Sequence, residues 1–145
     1  MSQITEICKK EITVRGELNE LVKVRAFVES CASECGIAQH VAQQIALAVD
    51  EACSNLVRHA FKLIAGTFMT IKVEAEKGVV VISIFDAATP FNPLQVQSPE
   101  MQDYFAQFRR GGLGVQIIKT VMDKIEYFPS SAKQPRNELR LTKNL

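Results

Sequence analysis

Three polar residues, Glu51, Asn55 and His59, recur at intervals of four in this sequence. At about 100° per residue, side chains four apart lie on one face of an α-helix, one turn above the other. Ala48 and Ala52 flank this row and leave space beside its polar atoms. A carboxylate and an amide one turn apart can hold a metal ion or a polar ligand close to the backbone. The alternative is that the row is simply the solvated face of the helix, as most polar rows are.

The helix that carries this row is predicted from the stretch 43–61, QQIALAVDEACSNLVRHAF, and is expected to end near residue 66. Its apolar residues recur at steps of three and four, which is the pattern of a helix with one buried face. That apolar stripe is centred roughly 120° away from the polar row. The stripe consists of Ile45, Val49, Cys53, Leu56 and Ala60.

The other elements follow from the same kind of pattern. Alternation of apolar and polar residues predicts half-buried strands, and a continuous apolar run predicts a central strand covered on both faces. The predicted elements are a strand at 11–14, a helix at 17–35 ended by Gly36, a strand at 67–76, a tight turn at Lys77-Gly78, a central strand at 79–85, and two last strands at 124–128 and 138–143 joined by a loop at 129–137.

A second candidate position is Asp86, which directly follows the apolar strand 79–85. A carboxylate at that point can lie at the edge of a pocket, or it can be an ordinary strand-end turn residue. The segment 87–112 that follows shows no period, and three prolines interrupt its first half. Loops of this length in a compact domain are usually functional or disordered. Part of it, 100–108, is a candidate short helix.

A third candidate site is the glycine-rich run RRGGLG at 109–114, which is followed at once by a segment with helical period. Glycines let the backbone approach a ligand closely, and the free N–H groups at a helix start attract anions. Arg109 and Arg110 can add charge-assisted hydrogen bonds to phosphate oxygens. The run lacks the lysine of a P-loop and does not follow a strand, so by itself it is also consistent with a flexible hinge.

Composition limits the classes of function. The 145 residues suit a single domain, 1–145, and the formal net charge of +1, from 17 basic and 16 acidic residues, gives no electrostatic case for nucleic acid or a membrane surface as the main partner. No apolar run approaches the roughly 20 residues that span a bilayer, and the first residues lack the apolar core of a signal peptide. We therefore expect a cytoplasmic protein. Its four cysteines are expected to be buried small hydrophobes rather than a metal or redox site.

The three candidate sites in this order resemble the GHKL ATP-binding fold that gyrase, Hsp90 and histidine kinases share. The matching stretches are AVDEACSNLVRHAF, DAATPFNP and GGLGVQIIKTVMDKIEYF, and the resemblance extends over about 38–145. More narrowly, the sequence is similar to the small stand-alone anti-sigma factor serine kinases of bacteria. The fold that this implies is an α/β two-layer sandwich, with three helices on a mixed, mostly antiparallel sheet.

The resemblance also implies roles for individual residues. Glu51 matches the glutamate thought to act as the general base, and Asn55 matches the asparagine that coordinates Mg²⁺ between the phosphates. Asp86 matches the aspartate that accepts a hydrogen bond from the adenine amino group, and 87–112 would be the ATP lid. The residues expected around the phosphates of ATP are Arg110, Gly112, Leu113 and Gly114. His59 matches a histidine to which we assign no role.

Two positions depart from the family pattern. The family usually has glycine two residues after the aspartate, and here that residue is Ala88, whose methyl group either crowds the base pocket or shifts the loop. A threonine often found on a late strand near adenine has no clear equivalent, and Asn137 and Thr142 are both candidates.

The function implied is an ATP- and Mg²⁺-dependent serine/threonine kinase. Its substrate would be an anti-sigma factor antagonist, and the same protein would hold a sigma factor; a homodimer stays open. An alternative from another class is a non-catalytic switch that works only through protein–protein contact. Glu51 favours the kinase because nucleotide binding alone needs no base, whereas Ala88 favours the switch. A kinase of another cascade, with a client unrelated to sigma factors, is a third alternative.

Overall fold

The computed structural model describes residues 8–60, 67–88 and 112–145, with backbone only at 60 and 112–115. Five strands and three α-helices are found in these ranges. In chain order they are β1 (Cys8–Arg15), a 3₁₀ turn (Leu18–Glu20), α1 (Leu21–Glu34), α2 (Gln39–Asn55), a π-helical turn (Leu56–Ala60), β2 (Phe68–Glu76), β3 (Val79–Asp86), α3 (Gly112–Val121), β4 (Lys124–Phe128) and β5 (Asn137–Asn144).

The five strands form one sheet in the order β1-β2-β3-β5-β4, and every pairing between them is antiparallel. The register aligns buried side chains in rows across the sheet. Ile71 of β2 lies opposite Ile84 of β3, which in turn lies opposite Leu139 of β5. All three are at most 4% exposed, so this row belongs to the core. The predicted α/β two-layer architecture is confirmed.

The helices supply the second layer of the core. α1 packs against β1 and β2, and α2 packs between α1 and α3. The apolar stripe predicted for α2 is confirmed for its first four residues: Ile45, Val49 and Cys53 are fully buried, and Leu56 is 5% exposed. The structure does not describe the side chain of its fifth residue, Ala60. Burying one Leu- or Ile-sized side chain contributes about 1.5–3 kcal/mol, so this stripe fixes the rotation of α2 about its own axis. That rotation determines where the polar row points.

Two predicted chain reversals are confirmed in detail. Gly36 has a φ of 79° and ends α1. The N–H of Ile37 donates to the carbonyl of Ala32, and the N–H of Gly36 donates to that of Ser33, which is the Schellman arrangement of a helix end. At the β2–β3 hairpin, Lys77 and Gly78 both have positive φ, 47° and 81°, as the two-residue turns that suit the strand twist require.

The prediction that β3 is covered on both faces is correct for only one face. Its side chains toward the helices are buried, whereas Val79, Val81 and Phe85 on the other face are only half-buried. Side chains from neighbouring loops cover part of this face. The guanidinium group of Arg136, for example, lies 4.4 Å from the ring centroid of Phe85, within cation–π distance.

Two helix predictions need correction. The α-helix with the polar row starts at Gln39 rather than 43 and ends at Asn55, where a π-helical turn with i→i+5 hydrogen bonding begins. The glycine run was predicted as a loop, yet Gly112, Leu113 and Gly114 already form the first turn of α3. The predicted helix at 100–108, Arg109, Arg110, most of the predicted lid and the end of the polar-row segment after residue 60 lie outside the described residues.

The remaining strand predictions are confirmed, and β4 has the predicted bounds. In the three described ranges, no helix is both long enough and apolar enough to cross a bilayer.

Candidate functional site

The polar row of α2 lies partly inside the protein. Asn55 is 4% exposed, Glu51 is half-buried, and the flanking Ala48 and Ala52 are at most 1% exposed. The apolar stripe on the opposite side of the helix leaves no freedom to turn Asn55 into water without exposing Val49 or its neighbours. The solvated-face alternative therefore fails for Asn55, and Glu51 stands at the boundary between the interior and solvent.

The buried amide of Asn55 lacks a hydrogen-bond partner. Its Nδ2 is inaccessible to solvent, and no described residue accepts a hydrogen bond from it. A buried donor left unsatisfied costs about 1–3 kcal/mol, so such groups are rare in folded proteins and call for an explanation. A ligand that contacts the amide is one such explanation, and it is the one that the spacing of the row predicts.

Glu51 has a perturbed acidity. Burial raises the pKa of its carboxyl group above the ordinary 4.5, the negative charge of Asp50 raises it further, and the positive charge of Arg58 opposes both. Asp50 is itself held by Arg25 of α1, whose Nη1 lies 2.8 Å from Oδ1 of Asp50. A carboxylate with a raised pKa is a stronger base than an ordinary glutamate, which suits it to accept a proton.

The third residue of the row, His59, lies beyond the end of the α-helix. It is half-buried on the π-helical turn Leu56–Ala60, so the four-residue spacing no longer places it directly in line with Glu51 and Asn55. Short π-helical segments occur frequently at functional sites. The described geometry brings Glu51 and Asn55 together as one pair and leaves His59 without an assigned role.

Asp86 is the last residue of β3 and faces the helix layer. It continues the series of buried positions Val80, Ile82 and Ile84, and it is 4% exposed. Its Oδ1 accepts hydrogen bonds from the backbone N–H of Ala88 and from Nδ2 of Asn137, both at 3.0 Å. No described residue donates to Oδ2, so this oxygen is the one available to a ligand.

The environment of Asp86 opposes its charge. Burial raises the pKa of this carboxyl group above its ordinary value, and the hydrogen bonds from Asn137 and Ala88 lower it in part. The free energy lost on burying the carboxylate is therefore only partly recovered from the protein. A ligand that donates a hydrogen bond to Oδ2 would favour the ionised form further.

The structure resolves the two departures from the family pattern. Asn137, and not Thr142, lies next to Asp86, because the β3–β5 register pairs residues 86 and 137 while Thr142 points to the opposite face of the sheet. The backbone conformation at Ala88 does not require glycine, since Lys77 is the only non-glycine residue in the described part of the chain with positive φ. Whether its methyl group crowds a bound base stays a prediction. Its methyl group is packed into the edge of the core at 8% exposure.

The glycines of the third candidate site form a helix start next to α2. Gly112, Leu113 and Gly114 open α3, which packs against α2. The N–H groups of a first helical turn have no partners within the helix and point toward its N-terminal end, where the helix dipole favours an anion. Arg110 precedes this turn but lies outside the described residues. The roles of all four residues at the phosphates stay predictions.

The described residues are compatible with Mg²⁺ bound together with a nucleotide. They contain no cluster of three or more His, Cys, Asp or Glu side chains able to hold a metal ion by themselves. Mg²⁺ commonly takes one or two protein ligands and completes its shell with phosphate oxygens and water. In such an arrangement Oδ1 of Asn55 would be the protein ligand of Mg²⁺, and its buried Nδ2, a donor without a partner, suits a phosphate oxygen. Cys31, Cys35 and Cys53 are buried free thiols, as predicted, whereas the free thiol Cys8 is only partly buried.

One feature of this site was not identified from sequence. The triangle of Asp86, Ala88 and Asn137 depends on which residues of β3 and β5 pair, and the residues involved are 51 positions apart. The available signal was a polar residue two positions before the apolar alternation Leu139, Leu141, because the period of two places residue 137 on the same core face.

Comparison with known proteins places this geometry in a family. The model of the histidine kinase-like ATPase domain matches residues 14–143. The serine-protein kinase RsbW of Halalkalibacterium halodurans is 30% identical over 125 residues, which cover 80% of this chain and 73% of that protein. RsbW of Listeria innocua is 28% identical over 109 residues, covering 72% and 69% respectively.

Solved structures share the fold at lower identity. The crystal structure of the RsbU and RsbW domains of a Mycobacterium tuberculosis protein superposes with a TM-score of 0.62 at 17% identity, over 94% of this chain and 32% of that one. The histidine kinase domain of a blue-light activated kinase from Erythrobacter litoralis gives a TM-score of 0.53 at 11% identity, over 88% and 60%. This chain therefore spans about a third of the first structure. The chain belongs to the histidine kinase-like ATPase family, the GHKL fold, and within it is similar to the RsbW serine-protein kinases.

Proposed function

We propose that this protein is an ATP-dependent serine/threonine kinase that phosphorylates a small protein. The observation that carries the proposal is the buried amide of Asn55, which lacks a partner and lies one helical turn from Glu51, a half-buried carboxylate of raised pKa. An amide that can donate to a phosphate oxygen through Nδ2 and ligate Mg²⁺ through Oδ1, next to a general base, suits phosphoryl transfer to a hydroxyl group.

In this proposal Glu51 accepts the proton of the attacking serine hydroxyl. Its partial burial keeps water from solvating the carboxylate fully, which raises its basicity. Its position at the boundary with solvent leaves it accessible to a side chain of a second protein. Arg25 of α1 donates a hydrogen bond to Asp50 of α2. The negative charge that raises the pKa of Glu51 is therefore fixed in place.

The nucleotide would be held by residues of three elements. Oδ2 of Asp86 would accept a hydrogen bond from the exocyclic amino group of adenine. The first turn of α3, Gly112 to Gly114, would bind phosphate oxygens together with Arg110. Asn55 would hold Mg²⁺, which when bound neutralises charge on the phosphates and orients them. The segment 87–112 would be the lid, and residues 1–145 would form one such domain.

The substrate and partners follow from the similarity to RsbW proteins, which are named serine-protein kinases. We propose an anti-sigma factor antagonist as the phosphorylation substrate and a sigma factor as the protein that is held, in the cytoplasm, with no direct contact to nucleic acid or membrane. A homodimer is compatible with this scheme. A client outside sigma-factor regulation is the alternative that the same chemistry allows.

Transfer of labelled phosphate tests the proposal. The protein is incubated with γ-³²P-labelled ATP, Mg²⁺ and purified candidate antagonists, and labelled serine is identified after hydrolysis. Glu51→Gln should abolish most of the label, whereas Glu29→Gln, a matched change at an exposed position of α1, should leave it unchanged. Equal labelling by the parent and Glu51→Gln would contradict the role of Glu51.

The non-catalytic switch is distinguished by the same experiment. Its main support in the sequence was Ala88, but the backbone at this position is compatible with alanine. A switch would bind partners in a nucleotide-dependent way and label none of them. Capture of a sigma factor on the immobilised protein with ATP, with ADP and without nucleotide measures that second activity separately.

A further inference from the structure

Asn137 holds together three segments that border the candidate base pocket. Its Nδ2 donates to Oδ1 of Asp86 at 3.0 Å and to the carbonyl oxygen of Ala88 at 2.8 Å. Its Oδ1 accepts the backbone N–H of Ser130 at 2.7 Å. The residue is fully buried. It therefore joins the end of β3 and the start of the predicted lid to β5 and to the β4–β5 loop.

The donor capacity of this amide is exhausted. A primary amide has two N–H donors, and Asn137 uses one on Asp86 and the other on Ala88. With no solvent-accessible surface, it cannot itself contact a bound base. Its effect on a ligand must pass through the groups that it holds.

Resting on the nucleotide site proposed above, we infer that Asn137 is a positioning residue that sets the base selectivity of the pocket by fixing Asp86. With Oδ1 occupied by Asn137 and Ala88, only Oδ2 of Asp86 is presented to the ligand, and it is presented as an acceptor. An acceptor at this point fits the exocyclic amino group of adenine. It repels the carbonyl oxygen that guanine carries at the corresponding position.

The charge state of Asp86 makes this role measurable. Hydrogen bonds to a carboxylate favour its ionised form, and Asn137 supplies one of the two that offset the burial of Asp86. The cross-strand neighbours of Asp86 are Met69 and Asn137, both uncharged, and no charged side chain among the described residues contributes to its pKa shift. Loss of Asn137 should therefore raise the pKa of Asp86 further.

The consequence for binding has a definite sign. Asp86 must be ionised to accept the amino group of adenine, so affinity for ATP falls as the pH drops through the pKa of Asp86. A variant with a higher pKa at Asp86 should lose affinity at a higher pH. A protonated Asp86 can also donate to the carbonyl oxygen of guanine, so the preference for ATP over GTP should shrink in the same pH range.

The experiment compares Asn137→Leu, Asn137→Thr and Asp86→Asn with the parent. Leucine removes both donors at similar volume, whereas threonine keeps one hydroxyl donor near Asp86. Mg-ATP and Mg-GTP affinities are measured by calorimetry from pH 5.5 to 8.5, on samples whose folding is checked by thermal unfolding. Thr142→Val, on the opposite face of β5, is the matched control.

We expect Asn137→Leu to weaken ATP binding at pH 7 on the order of 10-fold or more, to reduce the ATP/GTP ratio, and to raise the pH midpoint of ATP binding. For Asn137→Thr, the ATP affinity, the ATP/GTP ratio and the pH midpoint should all lie between those of Asn137→Leu and the parent. This variant decides the question if Asn137→Leu does not fold. Titration of the ATP phosphates is common to all samples and cancels in the comparison.

Two outcomes would overturn the inference, and they differ. If Asp86→Asn weakens ATP binding while folded Asn137 variants keep the affinity, selectivity and pH midpoint of the parent, Asn137 has no positioning role and the proposed nucleotide site survives. If Asp86→Asn binds ATP as well as the parent, the proposed site at Asp86 fails, and the role of Asn137 fails with it.

Discussion

Replacement of Asn55 by leucine should make the ligand-free protein more stable and remove its response to Mg-ATP. The amide Nδ2 of Asn55 is buried without a partner, a state that costs about 1–3 kcal/mol. Leucine has the same branching as asparagine with somewhat larger, apolar end groups, and we take an imperfect fit of shape to cost up to about 1.5 kcal/mol. The net expectation is a gain of about 1 kcal/mol, or roughly 3–4 °C in Tm for a chain of this length.

Ligand should reverse this order of stabilities. Mg-ATP at about 100 times its Kd stabilises the parent by about 2.7 kcal/mol through mass action. Asn55→Leu should gain almost none of that, because the side-chain oxygen proposed for the metal is gone. The parent should then be the more stable protein by about 1–2 kcal/mol.

Thermal unfolding with and without Mg-ATP measures both effects. Gln44→Leu, at an exposed position of the same helix, is the control and should change stability by less than about 0.5 kcal/mol while keeping the full response to nucleotide. The reasoning is refuted if Asn55→Leu is less stable than the parent without ligand and is stabilised by Mg-ATP as strongly as the parent.

Three further predictions concern the base and the lid. Glu51→Gln should lower the rate of phosphoryl transfer on the order of 10²-fold or more without changing the affinity for Mg-ATP. In the parent, kcat/KM should fall on acidification at a higher pH than it would with a general base of the ordinary glutamate pKa of 4.5. Because burial disfavours the charged carboxylate, Glu51→Gln should also be more stable than the parent at pH 7. The difference should shrink as the pH falls below the raised pKa of Glu51 and vanish below the ordinary value of 4.5; a constant difference across pH would contradict this. If 87–112 closes over nucleotide, Mg-ATP should slow trypsin cleavage after Arg109 and Arg110, and Gly112→Val or Gly114→Val should abolish that protection; cleavage indifferent to nucleotide would mean that this segment is no lid.

Sequence patterns predicted the strands well because their signal is local. The bounds of β4 and the turn at Lys77-Gly78 were predicted correctly, since alternation and a glycine that tolerates positive φ each act over a few residues. The beginning of α2 was predicted four residues late. Its N-cap is Ala38, which makes no side-chain capping bond, so the usual marker of a helix start is missing.

The start of α3 was predicted wrongly because glycine has a low intrinsic preference for helices. Glycine disfavours helices by about 1 kcal/mol relative to alanine, which predicts a loop at Gly112 and Gly114. In the structure both lie in the first turn of α3, which packs against α2. Tertiary packing outweighs the intrinsic preference here, as it does in most protein helices.

The candidate site was predictable where its residues are close in sequence and unpredictable where they are far apart. Glu51 and Asn55 are four residues apart, so helical geometry alone brings them together. Asp86 and Asn137 are 51 residues apart and meet only through the register of β3 and β5, which no local pattern specifies. The sequence therefore predicted each carboxylate of the site but could not decide whether Asn137 or Thr142 lies beside the second one.

Calorimetric titration of the parent protein with ATP, in the presence and absence of Mg²⁺, tests most directly the central claim that this fold binds a nucleotide at Asn55 and Asp86. The account predicts saturable binding of one ATP per chain that is weakened by removal of Mg²⁺, by Asn55→Leu and by Asp86→Asn. Absence of saturable ATP binding by the folded parent, or binding that neither substitution weakens, would contradict it.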